Sequence, residues 1–138
     1  MKISINITDA RHKLDRREMI ALIRKVLIAE SANDKDIDII YCRDKEVIPL
    51  NTKFNGKKNT TDVLAFNLED SAAPGYLGEV YVNLEQARRQ AVELKVPYLE
   101  EVRRLTLHGV LHLLGFRDDT NENRLKMWSR QESYLDGK

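Results

Sequence analysis

Two of the three histidines of the chain lie four residues apart in the segment LHGVLHLLGFRDD, residues 107–119. On an α-helix this spacing corresponds to about 400° of rotation and about 6 Å of rise, so His108 and His112 project from nearly the same face. Two imidazoles placed in this way can bind one metal ion, as in the H-E-x-x-H metalloenzymes. In those proteases a glutamate general base follows the first histidine, whereas this chain has Gly109. A protease mechanism would therefore lack its general base.

A zinc site with an open position requires three protein ligands and a water molecule. After Gly115 the chain turns back through Phe116 and Arg117 to two consecutive acidic residues. We predict Asp118 as the third ligand and Asp119 as the alternative. A leucine-rich helix can equally hold two histidines that form only hydrogen bonds, so the residues alone leave metal binding and a structural role open.

The elements that must position these residues are those of an α+β protein, with a small mixed sheet of about four strands packed with about five helices. Alternating or short apolar runs predict strands at 2–7, 36–42, 62–69 and 79–83, with a loop at 70–78. Helical periodicity predicts helices at 14–30, 84–94, 97–115 and 121–135. The third of these is a zincin-like histidine helix near the C-terminus, ended by Gly115, and Asn121 can cap the last helix. We expect a single domain over 1–138.

The segment 46–54 fits either a strand or a helix. We favour a short helix entered near Pro49, because proline suits the first turn of a helix and not a central strand. Cys42 lies in an apolar run and is predicted to be a buried strand thiol without a disulfide partner.

The composition of the 138-residue chain, 42% hydrophobic and 33% charged, is typical of a soluble globular protein. Its 23 basic and 22 acidic residues give a net charge of +1, which excludes a polycation, so any affinity for nucleic acid must come from local patches. No apolar run approaches the roughly 20 residues that span a bilayer. We expect a cytoplasmic protein with no membrane partner.

Three blocks of sequence together resemble one family. HGVLHLLGFRDD (108–119) resembles the signature of the YbeY family of bacterial rRNA maturation factors, in which HGxLHLxGYDH supplies three histidine ligands for zinc. LNTKFNGKKNTTDVLAF (50–66) resembles the family's LN-x-x-YR and TDVLSF, and LGEVYVN (77–83) resembles its GDI strand. The blocks occur in the family order, so the resemblance covers most of the chain.

This resemblance implies a zinc-dependent, single-strand-specific endoribonuclease that acts in ribosomal RNA processing, notably small-subunit rRNA maturation, and in ribosome quality control. It implies one Zn²⁺ per chain, and ribosomal RNA and the small ribosomal subunit as partners. It also implies that the metal site lies at the end of the histidine helix.

Three positions depart from the family pattern. His108 and His112 match two family ligands, but the third falls on Asp118, whose carboxylate is an ordinary zinc ligand that makes the metal less Lewis acidic. The family arginine falls on Asn55, which cannot bind a phosphate through two charged hydrogen bonds. Glu79 replaces an aspartate and preserves its charge.

The resulting hypothesis assigns catalysis and metal binding to the same three residues, His108, His112 and Asp118. A metal-bound hydroxide, or a ribose 2′-OH activated by it, attacks the phosphodiester. The residues predicted to contact RNA are Asn55, Lys57, Lys58 and Arg104, with either lysine as a replacement for the missing arginine. Glu79 or Asp62 is a candidate for orienting a ligating imidazole, although Asp62 fits a turn or cap equally well.

Two other functions stay open. One is a non-catalytic factor that binds the ribosome or its RNA and uses the metal for structure, which the changes at Asn55 and Asp118 favour. The other is a metal-dependent hydrolase of another substrate, such as a peptide, against which Gly109 argues. The nine aromatic residues show no grouped pattern in the sequence, so no base-stacking platform is predicted, and Trp128 is expected to pack the last helix.

Overall fold

The computed structural model describes residues 1–8, 13–70 and 74–137. In chain order its elements are β1 (Ile3–Ile7), α1 (Arg16–Ala29), β2 (Asp36–Cys42), α2 (Asp44–Asn55), β3 (Val63–Asn67), β4 (Tyr76–Asn83), α3 (Leu84–Leu94), α4 (Tyr98–Leu113) and α5 (Asn121–Leu135). These elements confirm the predicted α+β class, with a four-stranded sheet and five helices.

The four strands form one mixed sheet in the order β1-β2-β4-β3. β2 runs parallel to both β1 and β4, whereas β3 runs antiparallel to β4 and forms one edge of the sheet. Parallel neighbours need a crossover connection, which α1 provides between β1 and β2. β3, which follows α2 in the chain, lies beside α4, the helix that carries the histidines.

The sheet separates two apolar layers. The larger layer lies between one face of the sheet and the helices α1, α3, α4 and α5. The strands contribute alternate residues to it, such as Ile39, Val80 and Val82. The smaller layer lies under α2 on the opposite face and contains Leu64 and Tyr81 among others. Because side chains alternate along a strand, neighbouring residues of β4 belong to different layers.

Gly109 is the point at which α4 approaches the sheet most closely. A Cβ atom at this position would lie 2.3 Å from Cγ1 of Val80 and 3.0 Å from Cγ2 of Val63. Carbon atoms in favourable contact lie about 3.5–4.0 Å apart, so the approach requires a residue without a side chain. Position 109 therefore faces β3 and β4 and not the histidine pair, which explains why a glutamate base has no place there.

The loop predicted at 70–78 is partly wrong, because β4 begins at Tyr76 and not at 79. The Tyr76 hydroxyl donates a hydrogen bond of 2.6 Å to Asp38 Oδ2, and this contact extends the pairing of β2 with β4. Gly78, which favoured a loop in the sequence, instead allows close backbone approach, because a Cβ there would lie 2.1 Å from Phe66 O. Residues 71–73 of the predicted loop lie outside the described residues.

Helix α2 begins earlier than predicted, so the expectation that the chain enters it near Pro49 is wrong. The backbone N–H of Arg43 donates to Glu46 Oε2 at 3.0 Å, and that of Asp44 donates to Glu85 Oε1 at 2.9 Å. These two carboxylates satisfy N–H groups that a helix start leaves unpaired, and they fix the start five residues before the proline.

The ends of the last two helices are set by local hydrogen bonds. Gly115 follows α4 with a φ of 98°, and the Phe116 N–H donates to Leu111 O at 3.0 Å, which reverses the chain as predicted. Thr120 and not Asn121 caps α5, because its hydroxyl accepts from the Asn123 N–H at 3.0 Å.

Cys42 is fully buried in β2, as predicted, and its thiol donates to Val82 O with an S···O distance of 3.6 Å. Burial raises the pKa of the Cys42 thiol to about 12, so it stays protonated at neutral pH and is no candidate for metal binding. Across the described residues, the structure contains no helix with the length and apolar character needed to cross a membrane.

Candidate metal centre

The two histidines of α4 point their Nε2 atoms at each other. The Nε2 atoms of His108 and His112 are 3.1 Å apart, and the two rings are nearly perpendicular, with an interplanar angle of 85°. Both rings are half-buried.

Asp118 completes a group of three donor atoms. Its Oδ2 lies 3.3 Å from His112 Nε2 and 3.9 Å from His108 Nε2. Two ligands at about 2.0–2.1 Å from a tetrahedral zinc ion are about 3.3 Å apart, so the three atoms have the spacing of one small coordination site. Neutral imidazole and carboxylate donors also fit zinc chemically, and the group is one that can hold a metal ion.

Asp119, the alternative third ligand, is directed elsewhere. Its carboxylate accepts hydrogen bonds from Arg117 Nη2 at 2.6 Å and from Asn123 Nδ2 at 2.8 Å. The hydrogen bond from Asn123, followed by the charge of Arg117, lowers the pKa of the Asp119 carboxyl. The structure thus brings together the first predicted set of ligands and leaves Asp119 paired with Arg117 and Asn123.

The remaining ring nitrogens are oriented by hydrogen bonds behind the site. His108 Nδ1 lies 2.8 Å from Gln131 Oε1 on α5, and His112 Nδ1 lies 3.2 Å from the backbone oxygen of Phe116. Both partners are acceptors, so the Nδ1 atoms carry the protons and the Nε2 lone pairs face the shared space. Imidazoles prepared in this way are ready to bind a cation.

The protonation state of His108 also favours metal binding, because its ring is neutral. Burial is the largest effect and lowers the pKa of His108, with a smaller lowering from the neighbouring His112, whereas Gln131, Asp62 and Asp118 oppose the shift. The lowered pKa keeps the ring neutral at physiological pH, and the neutral ring is the form that binds metal.

The sequence missed Gln131, which performs the orienting role that we predicted for Glu79 or Asp62. Glu79 lies on the face of β4 opposite to α4, where it accepts a hydrogen bond of 3.3 Å from the Tyr81 hydroxyl. That face cannot reach the histidines, so the prediction for Glu79 is wrong. Asp62 acts on His108 only through its charge, and its carboxylate accepts from the Thr61 hydroxyl at 3.5 Å.

A cavity of about 880 Å³ opens beside the site, bounded by the end of α2, loop 56–62, β3 and the end of α4. We call it the β3 cavity. Asn55 and Lys57 line it together with His112 and Asp118. Lys58 is exposed and does not line it. Two of the predicted RNA-contacting residues are therefore close to the candidate metal centre.

Side-chain hydrogen bonds hold the wall of the β3 cavity in place. Asn51 Nδ2 donates to Asn59 O at 2.9 Å, and Asn55 Nδ2 donates to Asn51 Oδ1 at 3.0 Å. The Thr60 hydroxyl donates to Asp44 Oδ1 at 2.6 Å, which anchors the far end of the loop. Asn55, at the position of the family arginine, thus has a structural hydrogen bond inside the wall.

Arg104, which we predict to contact RNA, lies outside the lining of the β3 cavity. It lies one turn before His108 and is largely buried, within 2.9 Å of Glu101, 3.0 Å of Glu132 and 3.4 Å of Glu100. The carboxylates of Glu132 and Glu101 raise the pKa of Arg104. Its charge is balanced and it does not line the β3 cavity, so the structure assigns it to the packing of α4 against α5 and gives no support to an RNA contact.

Three of the nine aromatic residues form a cluster that the sequence pattern does not indicate. The ring centroids of Phe54 and Phe66 are 4.9 Å apart, and those of Phe66 and Tyr81 are 5.8 Å apart. We predict that Trp128 packs the last helix, but 54% of it is exposed, and the Arg104 guanidinium lies 5.8 Å from its ring centroid.

The fold and the site define a class of α+β proteins in which a helix packed on a mixed sheet presents two histidines to an acidic turn. The family model described as endoribonuclease YbeY matches residues 4–137. The chain belongs to this endoribonuclease YbeY family.

Individual relatives agree with this assignment. The endoribonuclease YbeY of Chlorobium phaeovibrioides is 33% identical over 98% of this chain and 89% of its own length. The protein of the same name from Flavobacterium psychrophilum is 30% identical over 82% of this chain and 79% of its own length. The solution structure of TM1509 from Thermotoga maritima shares the fold, with a TM-score of 0.70 and 24% identity over 97% of this chain and 87% of that one.

Proposed function

We propose that this protein is a zinc-dependent endoribonuclease that cleaves single-stranded RNA during ribosomal RNA processing. The observation that carries the proposal is the convergence of two imidazole nitrogens and one carboxylate oxygen at one end of the β3 cavity. Membership of the endoribonuclease YbeY family supports RNA as the substrate. We propose one metal ion per chain, bound by His108, His112 and Asp118.

A bound zinc ion supplies Lewis acidity, which lowers the pKa of a water molecule or polarises a phosphoryl oxygen. The protein residues prepare for this chemistry. Gln131 and the Phe116 carbonyl hold the Nδ1 protons of His108 and His112, so that each Nε2 offers a lone pair. Asp118 contributes one negative charge, which offsets part of the charge of the cation.

Lys57 lines the β3 cavity, and we propose that its ammonium group binds the phosphates of the RNA backbone. It follows the end of α2 and lines the same cavity as His112 and Asp118. A lysine holds a phosphate as a point charge and without the two-pronged geometry of arginine. We therefore propose weak, salt-dependent binding of the backbone at this position.

The cellular setting follows from the family resemblance. We propose ribosomal RNA, in particular the end of small-subunit rRNA, as the substrate, the small ribosomal subunit as the partner and the cytoplasm as the site of action. A part in ribosome quality control belongs to the same proposal.

A second candidate function is a non-catalytic RNA-binding factor with a structural metal. The hydrogen bond from Asn55 to Asn51 favours it, because the position of the family arginine is used here to hold the cavity wall. This protein would bind the same RNA and leave it intact.

The deciding experiment is a cleavage assay on labelled single-stranded and double-stranded RNA, with and without a chelator and with zinc restored. We expect cleavage of the single strand only, loss of cleavage in the chelator and in His112→Ala, and retention in Asp119→Asn. RNA binding without cleavage in the zinc-loaded protein would select the non-catalytic factor. Cleavage that persists in His112→Ala would overturn the proposed site.

A further inference from the structure

Phe54 is a large apolar side chain that the fold leaves in solvent. It lies in the last turn of α2 with 54% of its surface exposed, and it lines the β3 cavity. A single exposed apolar side chain is common on protein surfaces, but one that lines the cavity of a candidate reaction site can contact the apolar face of a ligand.

The ring of Phe54 is supported by the sheet. Its centroid lies 4.9 Å from that of Phe66 on β3 at an interplanar angle of 55°, and Phe66 meets Tyr81 on β4 edge to face at 5.8 Å. Phe66 and Tyr81 in turn pack on the buried apolar layer under α2. These contacts support the Phe54 ring from the sheet, and Lys53 Nζ also lies over the ring, 5.2 Å from its centroid.

The backbone around Phe54 is equally well defined. Gly56 adopts a left-handed conformation with a φ of 68°, and its N–H donates to Thr52 O at 3.1 Å, while the Lys57 N–H donates to Asn51 O at 3.3 Å. These bonds close the end of α2, so a ligand that meets Phe54 meets a preformed surface.

A nucleotide matches the groups that line this cavity. The β3 cavity combines an exposed aromatic ring, the cation of Lys57 and the candidate metal ligands His112 and Asp118. Any of the four nucleobases can stack on an aromatic ring. The phosphate next to the base carries the negative charge that a lysine and a metal ion attract.

We propose that Phe54, supported by Phe66, is a stacking platform for one nucleobase of single-stranded RNA held in the β3 cavity. The inference rests on the proposed function, because it assumes RNA as the substrate. It assigns a specific role to a residue outside the metal centre. A stacked base must be unpaired and turned out of a helix, so the platform also gives a physical reason for preferring single strands.

The test compares Phe54→Ala, Phe54→Leu and Phe54→Tyr with wild type in the full chain. The dissociation constant for a labelled single-stranded oligonucleotide of RNA is measured in EDTA by fluorescence anisotropy, with a gel to confirm that the RNA stays intact. Stacking of one base is worth about 1–3 kcal/mol, so Phe54→Ala should raise the dissociation constant about 5- to 150-fold. Phe54→Tyr should retain affinity, and Phe54→Leu should not.

Trp128→Ala is the matched control, because Trp128 has the same exposed fraction as Phe54 and lies outside the β3 cavity. It should leave RNA affinity unchanged. Phe54→Ala should also leave the salt dependence of binding unchanged, whereas Lys57→Ala should reduce it. An oligonucleotide of the same length with abasic riboses should bind Phe54→Ala and wild type equally.

Equal RNA affinity of Phe54→Ala and wild type would overturn the platform and leave the proposed function standing. Full affinity in Phe54→Leu would also overturn it, because the contact would then be apolar and not aromatic. Failure of wild type to bind single-stranded RNA both in EDTA and with zinc restored would overturn the proposed function and the platform together.

Discussion

Nδ1 of His108 on α4 lies 2.8 Å from Oε1 of Gln131 on α5, a side chain that is only 2% exposed. The amide nitrogen of Gln131 donates to Glu132 Oε2 at 3.2 Å, and this second bond turns the amide oxygen toward the histidine. The relationship fixes the orientation of one candidate metal ligand from a different helix.

Replacement of Gln131 should therefore weaken metal binding, although Gln131 itself does not contact the metal. Gln131→Leu removes the acceptor for the His108 Nδ1 proton, and loss of such a partner typically costs 10- to 100-fold in metal affinity. We expect a reduction of about this size in zinc affinity, measured by competition with a chromogenic chelator. Gln131→Glu keeps an acceptor and should recover most of the affinity. If Gln131→Leu binds zinc as tightly as wild type, the hydrogen bond has no part in the site.

Asp118 and Asp119 form a natural pair of test and control. Only Asp118 faces the histidines, so Asp118→Ala should lower bound zinc well below one ion per chain, while Asp119→Ala should keep it. Plasma mass spectrometry on untagged protein measures the metal content, and circular dichroism confirms the fold. Asp118→His restores the family ligand and should retain zinc. Equal zinc content in Asp118→Ala and wild type would remove Asp118 from the site.

Gly109 should tolerate no side chain. The Cβ of Gly109→Ala would clash with Val80 and Val63, and forced overpacking of this kind typically costs about 1–3 kcal/mol of the free energy of unfolding. Urea denaturation measures this loss. Gly75→Ala is the control, because a Cβ at Gly75 meets no atom within 4 Å.

A double variant separates the clash from other effects of alanine at position 109. In Gly109→Ala with Val80→Ala, the nearest contact is removed, so the two losses should sum to more than the loss in the double variant. Strict additivity would show that the close approach to Val80 does not limit position 109.

The stability of the cavity wall should depend on acidic pH through Asp44. The hydrogen bond from Arg89 is the largest cause that lowers the pKa of the Asp44 carboxyl, from 3.8 to about 2, with further hydrogen bonds from Thr60 and Asn83. A carboxyl with a lowered folded-state pKa stabilises the fold above its unfolded pKa and loses this contribution as pH falls toward the folded value.

Asp44→Asn should accordingly destabilise the protein by about 1 kcal/mol at pH 6, a figure reduced for solvent screening of the ion pair with Arg89. The difference from wild type should shrink between about pH 4 and pH 2, which urea denaturation across this range measures. Glu122→Gln, which breaks an exposed ion pair with Lys126, should change stability little. A pH-independent difference at Asp44 would contradict the ionic origin.

Periodicity and turn chemistry were sufficient to predict most of the fold and the core of the site. His108 and His112 share a helix face by spacing alone, and Gly115 marks the turn that returns Asp118 to them. These features are local, because each depends on residues within about ten positions of one another in the sequence. Each helix and strand is likewise predicted from the pattern of its own short segment.

The parts that the sequence did not predict depend on contacts between distant segments. Gln131 sits in a helix whose pattern gives no sign that this amide is buried, and it reaches His108 only because α4 and α5 pack together. Phe54 and Phe66 meet through the pairing of β3 at the sheet edge. The role predicted for Glu79 was wrong, because its distance from the histidines depends on which side of the sheet α4 covers.

The position of β3 at the edge of the sheet has a consequence for self-association. In the described sheet β3 pairs with β4 alone, and a strand edge of this kind can act as a template for a strand of another chain. Proteins commonly protect such edges with charge, and Lys57 and Asp118 stand beside β3 around its cavity. The charges that we assign to phosphate and metal binding thereby also discourage the sheet from continuing into a second molecule.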